Sequence, residues 1–195
     1  KTYSSNERMI GLINDLLDIT RIEEGKYLYR PALADFESVV YFVINSFQEE
    51  IERKKIVLNF KKPITKLPKI TIDVEKMRLV VQNFLDNAIK YTPSGGKVTI
   101  LLEYDKDKKE IMFVIKDTGV GIPQDQQIRI FTKFFRGANV IRMETEGSGL
   151  GLFISKNIIE AHGGKVWFES KENQGTTFYL SLPVEKEVEK FLKEF

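Results

Sequence analysis

The sequence has no cysteine and a single histidine, His162. Without cysteine there is no disulfide, no thiolate nucleophile and no thiolate metal site. An excess of one charge is also missing: 30 Lys and Arg stand against 28 Asp and Glu, for a formal net charge of +2. So balanced a mixture leaves no electrostatic footprint for a nucleic acid. Long hydrophobic runs are absent as well. The longest apolar stretch, residues 38–47, is too short and too interrupted to span a bilayer. No signal peptide opens the chain, and there is no internal repeat or low-complexity tract. What is there suits a packed domain. Apolar residues make up 42% of the 195, with 14 Phe and 7 Tyr, which excludes wholesale disorder. At roughly 150 residues per domain, the length predicts one domain plus an appendage.

The appendage is residues 1–26. Met9, Ile13, Leu16 and Thr20 fall on one line of a helix over 1–24, flanked by Leu12, Leu17 and Ile19. The wide stripe suits a bundle helix, with Gly25 as its C-cap. The same pattern also describes a helix packed on its own domain. Strands are expected at 27–30, 56–62, 69–73, 97–104, 110–117, 164–170 and 176–182. Helices are expected from Asp35 to about Lys54, over 74–91 with Asp73 as cap, over about 124–130, and over 150–161. A short charged tail helix is expected over 185–195. The expectation is an α/β two-layer sandwich: a mixed, mostly antiparallel sheet of about five strands, with about three helices on one face.

Three motifs carry chemistry. On the helix over 73–91, Met77, Val81, Phe84 and Ala88 form the buried stripe. Asn83, Asn87 and Lys90 stand at i, i+4 and i+7 along its edge. Carboxamide oxygens are acceptable Mg²⁺ ligands and a lysine is a point charge for phosphate. Read alone, the row is equally the polar flank of an amphipathic helix. The second motif, Asp117-Thr118-Gly119-Val120-Gly121-Ile122-Pro123, follows a strand; its glycines allow close backbone approach, and Asp117 can accept from an exocyclic amine. The third, Gly147-Ser148-Gly149-Leu150-Gly151-Leu152, opens a helix whose free N–H groups favour an anion. It is not a P-loop, since no Gly-Lys-Ser/Thr follows. The long segment before it reads as a lid anchored by Phe131, Phe134 and Phe135. Arg136 beside them reads as a phosphate contact or as an ordinary surface arginine.

In order along the chain, Asn-Phe-Leu-Asp-Asn-Ala-Ile-Lys-Tyr-Thr, Asp-Thr-Gly-Val-Gly-Ile, Phe-Thr-Lys-Phe-Phe-Arg and Gly-Ser-Gly-Leu-Gly-Leu resemble the N, first glycine, F and second glycine boxes of sensor histidine kinases. The resemblance runs on through Ala161-His162-Gly163-Gly164 and Gly175-Thr176-Thr177-Phe178. It covers about residues 30–183, and residues 12–23 resemble the second helix of that family's dimerisation bundle. It implies a bundle helix at 1–26, a catalytic ATP-binding domain at 27–184 and a tail at 185–195. It implies ATP and Mg²⁺ as cofactors, with Asn87 on the metal and Asn83 supporting it. Lys90 would contact phosphate and Tyr91 would lie against the nucleotide. Asp117 would receive the adenine amino group. Gly119, Gly121 and Ile122 would shape the adenine end, with Thr176 beside them. Gly147, Ser148, Gly149, Leu150 and Gly151 would shape the phosphate end, with Arg136 as a lid contact. The implied reaction transfers the γ-phosphoryl group of ATP to a histidine and then to a response-regulator aspartate. The implied partners are an acceptor-histidine helix, a receiver domain and a second copy of the chain through the bundle; the implied location is cytoplasmic.

Two departures stand out. The acceptor box, a histidine followed by an acidic residue and an Arg-Thr-Pro-like run, is missing, and His162 reads as a capping or packing histidine. The expectation is that the acceptor helix lies upstream of Lys1, with a membrane anchor there left open. Thr145-Glu146 also stands where the family often has a proline before the second glycine box. Two rivals remain. ATP hydrolases of the same superfamily place a glutamate four residues before the metal-binding asparagine, where this chain has Asn83, and a neutral carboxamide is no general base. The other rival is a non-catalytic interaction module with a vestigial nucleotide site.

Overall fold

A computed structural model describes residues 2–137 and 147–184. The tail expected at 185–195 and most of the lid, including Thr145 and Glu146, lie outside the described residues. Helix α1 (Thr2–Glu23) ends as its glycine predicts. Gly25 turns with φ +65°, Lys26 N–H reaches Arg21 O at 2.8 Å, and Gly25 N–H reaches Ile22 O at 3.1 Å.

The strand expected at 27–30 is displaced to β1 (Ala32–Ala34), which pairs antiparallel with β3 (Ile70–Ile72) in a small separate ladder. Residues 27–30 alternate like a strand but spend their groups elsewhere. Tyr27 and Tyr29 pack edge to face at 5.2 Å, Arg30 N–H goes to Asp73 Oδ2 at 2.7 Å, and Pro31 brings no donor. The helix expected over 35–54 is two helices, α2 (Phe36–Ser46) and α3 (Gln48–Arg53). The ladder breaks at Phe47, where the preceding Ser46 hydroxyl has taken Val43 O at 2.7 Å in competition with the backbone. Asp35 caps α2 as expected, accepting from Glu37 N–H at 3.0 Å.

Strands β2 (Val57–Lys61), β4 (Lys97–Asp105), β5 (Glu110–Asp117), β6 (Lys165–Lys171) and β7 (Gly175–Pro183) form a five-stranded sheet in the order β2-β4-β5-β7-β6. Among the described residues only the β2–β4 pair of this sheet is parallel. Helices α2, α4 (Val74–Tyr91) and α5 (Gly151–Ala161) provide the helical layer, and a 3₁₀ turn spans Gln124–Arg129. Alternation decides which face is buried: Ile111, Phe113 and Ile115 of β5 are fully buried beside half-exposed Met112 and Val114. Phe84 of α4 stacks on Phe178 at 5.3 Å and on Phe113 at 6.4 Å, fastening helix to sheet.

His162 settles the start of α4. It is 2% exposed; its Nε2 accepts the Asp73 N–H at 2.9 Å, and its Nδ1 donates to Ile158 O at 2.7 Å. Asp73 in turn caps α4 through Lys76 N–H at 3.1 Å. The histidine is therefore a neutral brace between α5 and the N-cap of α4. His162→Ala strands a buried N–H and is expected to lower unfolding free energy by about 1–3 kcal/mol in urea titrations. A wild-type midpoint for that variant would contradict the role.

Candidate active site

Helix α4 turns its polar edge toward a cavity of about 820 Å³, within the range that holds a small-molecule ligand. Asn83, Asn87, Lys90 and Tyr91 all line it, so the row read from spacing comes together in space. Their states differ. Asn83 Nδ2 donates to Gly151 O at 3.2 Å and to Ser155 Oγ at 3.0 Å, which ties α4 to the start of α5. Lys90 Nζ pairs with Asp86 at 2.6 Å, one turn back on the same helix. Asn87 is half-buried in the wall, and its carboxamide makes no hydrogen bond to another described residue.

The far end is built by Asp117, at the tip of β5 and 6% exposed. Its Oδ1 accepts from Gly119 N–H at 2.8 Å and from Thr176 N–H at 3.2 Å. Burial pushes the carboxyl up to about 6, against the pull of those two N–H donors. Both bonds fall on Oδ1, which leaves Oδ2 as the acceptor for a ligand in the cavity. Only glycine fits at 119, because a Cβ there would sit 2.4 Å from Tyr91 O and 2.7 Å from Asp117 Oδ1. Gly121, Ile122 and Thr176 line the cavity, whereas Gly119 stands behind Asp117. At the opposite end Gly147, Ser148, Gly149 and Gly151 line the wall and Leu150 is buried behind it. Arg136 lines it too, its guanidinium packed near Gly147.

Sequence reading missed one wall altogether. Met9, Gly11, Leu12 and Asp15 of α1 face the same cavity. Ser148 Oγ donates to Asp15 Oδ2 at 2.9 Å, and burial raises the Asp15 carboxyl above its ordinary value. Further along α1, Ile19 is buried and Asp18 accepts from the Tyr27 hydroxyl at 2.9 Å; Glu23 pairs with Lys133. The helix thus lies against the sheet-and-helix unit that holds the cavity, while Met9, Ile13 and Leu16 remain about half exposed. Ser148, one of the predicted residues, is the contact that signalled this wall; no periodicity in α1 marks Asp15 as special.

Comparison with known proteins finds relatives of this chain and of its fold. The family model for histidine kinase-, DNA gyrase B-, and HSP90-like ATPases matches residues 72–186. The sensor histidine kinase WalK of Bacillus subtilis is 32% identical over 192 residues, covering 96% of this chain and 30% of that protein. A WalK sensor protein kinase of Staphylococcus aureus is 34% identical over 188 residues, 94% of this chain and 44% of that protein. The chain therefore spans less than half the length of these curated relatives. Among solved structures, full-length ShkA in complex with AMPPNP superposes with a TM-score of 0.79 at 28% identity, over 94% of this chain and 37% of ShkA.

Proposed function

Since the chain belongs to the histidine kinase-, DNA gyrase B- and HSP90-like ATPase family and is an ATP-binding catalytic domain of the sensor histidine kinase kind, we propose that it transfers the γ-phosphoryl group of ATP to a histidine on a bundle helix, for relay to a response-regulator aspartate. The observation that carries this reading is the cavity itself. It sets a buried carboxylate, Asp117, at one end and a glycine-rich helix start at the other, with Asn83, Asn87 and Lys90 between. In this reading Asp117 Oδ2 accepts the adenine amino group and Tyr91 packs beside the base. Lys90 exchanges Asp86 for a phosphate, and Arg136 approaches the phosphates from the lid side. Residues 1–26 are then half of a dimerisation bundle, and residues 27–184 the catalytic domain. Ile13 and Leu16, about half exposed, supply apolar surface for pairing with a second copy, while Met9 faces the cavity.

The donor set fits Mg²⁺ carried by the nucleotide. Among the described residues no cluster of three His, Asp or Glu side chains is arranged to hold a metal unaided. Mg²⁺ instead keeps waters and phosphate oxygens and takes one or two protein ligands. Asn87 offers an uncommitted oxygen, and Asn83 keeps its Oδ1 after spending both amide hydrogens. When bound, the ion neutralises charge on the transferring phosphoryl group. What the protein contributes is position: little covalent chemistry is required of it. Hydrolysis is disfavoured, because Asn83 stands where a water-activating glutamate would be and its amide is held by Gly151 and Ser155. A response regulator as the next partner is supported by the likeness of this fold to ThkA, solved in complex with the response regulator protein TrrA (TM-score 0.74, 23% identity, 94% of this chain and 49% of ThkA).

The test supplies labelled ATP and Mg²⁺ to the chain alone and to the chain with a separate acceptor-helix fragment. Label is expected on the fragment and none on the chain, with negligible phosphate release. Steady ATP turnover by the chain alone would make it a hydrolase, and no binding of AMPPNP by calorimetry would favour the interaction module.

A further inference from the structure

The end of α4 poses a problem of its own. Its last carbonyls have no partner within the helix. The usual left-handed glycine closure is not used, because the C-cap Thr92 is extended at φ −91° and ψ 127° and Pro93 follows without an N–H. The donors come from elsewhere in the chain. Lys54, between α3 and β2, places Nζ 2.7 Å from Ile89 O, 2.7 Å from Lys90 O and 3.3 Å from Thr92 O. The remaining carbonyl in that run, Tyr91 O, accepts from Val120 N–H at 3.2 Å. One ammonium and the loop after Asp117 therefore hold the last turn of α4 between them. Lys54 is itself fixed: its N–H reaches Glu50 O at 3.0 Å and its O accepts from Gly95 N–H at 3.2 Å. A cation at a helix C-terminus also opposes the partial negative charge there.

The turn so held is the one that delivers Lys90 and Tyr91 to the cavity, although Lys54 does not line it. We propose that Lys54 is a positioning residue of the nucleotide site: it fixes the backbone from which Lys90 and Tyr91 reach the ligand. The inference rests on the nucleotide-site reading above. It also explains why the cation must be a long, multivalent donor, since a single N–H cannot serve three carbonyls. A role in stability alone would predict a lower melting temperature with unchanged ligand affinity in the folded protein.

The experiment compares wild type, Lys54→Met and Lys54→Arg in the full chain, well below each melting temperature. AMPPNP with Mg²⁺ is titrated by calorimetry, and amide and carbonyl NMR shifts of Lys90 and Tyr91 are recorded without nucleotide. Lys54→Met is expected to shift those resonances and to raise Kd about tenfold; Lys54→Arg, which keeps several N–H donors, is expected to stay near wild type. Wild-type affinity in folded Lys54→Met, or unmoved Lys90 and Tyr91 resonances, overturns the proposal. If Lys54→Met does not fold, Lys54→Gln, which loses the charge but retains two donors, is judged by the same two readouts. A wild type that binds no AMPPNP, while Lys54→Met still moves the resonances, overturns the nucleotide-site reading and not the clamp.

Discussion

Asp117→Asn is expected to bind ATP at least about 100-fold more weakly than wild type and, at pH 8, to be the more stable protein. Both halves follow from one carboxylate. Asp117 is 6% exposed, and its burial lifts the folded-state pKa from 3.8 to about 6. A carboxyl with a raised folded pKa binds its proton more tightly in the native state than in the unfolded state. Its stabilising contribution is therefore fully present below pH 3.8 and is lost as pH rises through about 6. Above that, the buried charge costs at most about 3 kcal/mol, from 1.36 kcal/mol per unit over a gap of roughly two units. Asparagine removes the charge while its Oδ1 goes on accepting from Gly119 and Thr176 N–H. What it cannot do is accept at the second position, where, under the proposed binding mode, an NH₂ group would meet the adenine amino group. A charge-assisted bond is lost and a donor is left facing a donor, together on the order of 3 kcal/mol or more.

Thermal melts at pH 8 and pH 5, with analogue titrations at both, check this. The stability advantage of Asp117→Asn is expected to shrink at the lower pH, where wild-type Asp117 takes up its proton. Wild-type affinity is expected to fall over the same range. A variant less stable than wild type at pH 8, or one that binds ATP normally, would show that Asp117 is a structural acid and not the adenine acceptor. A strained binding group of this kind is what a site preorganised for a ligand leads one to expect.

Helix α4 was legible because the signals that announce it are local, the Asp73 cap and the Met77-Val81-Phe84-Ala88 stripe, although His162 and Lys54 brace its two ends from a distance. The β4–β5 hairpin was legible for the same reason, with alternation on either side of a charged turn. What escaped reading depends on partners far away in sequence. β1 is a strand because Ala32–Ala34 meet Ile70–Ile72, and nothing in the short run Ala-Leu-Ala announces it. The break at Phe47 turns on a serine whose hydroxyl prefers Val43 O to water. Lys54 looks like one more surface lysine until α4, more than 30 residues on, is placed beside it. The α1 wall belongs to the same class. The apolar stripe of that helix was read, but the Asp15–Ser148 contact spans 133 positions and has no periodic signature. Motifs named the residues of the cavity floor; packing decided what closes over them.

The asparagine pair gives the last prediction, because geometry separates two residues that composition treats alike. Asn83 is committed to Gly151 and Ser155, so Asn83→Ala removes two half-buried hydrogen bonds and loosens α4 from α5. A loss of about 1–3 kcal/mol of stability is expected before any effect on chemistry is considered. Asn87 has no such commitment among the described residues, yet it is held in the cavity wall on a rigid helix. Asn87→Ala is therefore expected to melt within about 0.5 kcal/mol of wild type. It should bind ATP in the presence of EDTA as well as wild type does, because the Asp117 end is untouched. It should lose the affinity gained from Mg²⁺, and its phosphoryl transfer to a separate acceptor helix should fall by about 10²–10³-fold, the cost of removing one preorganised group from a charged transition state. Calorimetry with and without Mg²⁺, run beside a labelled-ATP transfer assay, measures all three. Undiminished Mg²⁺-dependent binding and transfer in Asn87→Ala would move the metal to Asn83, and the uncommitted carboxamide would then be only the polar flank of its helix.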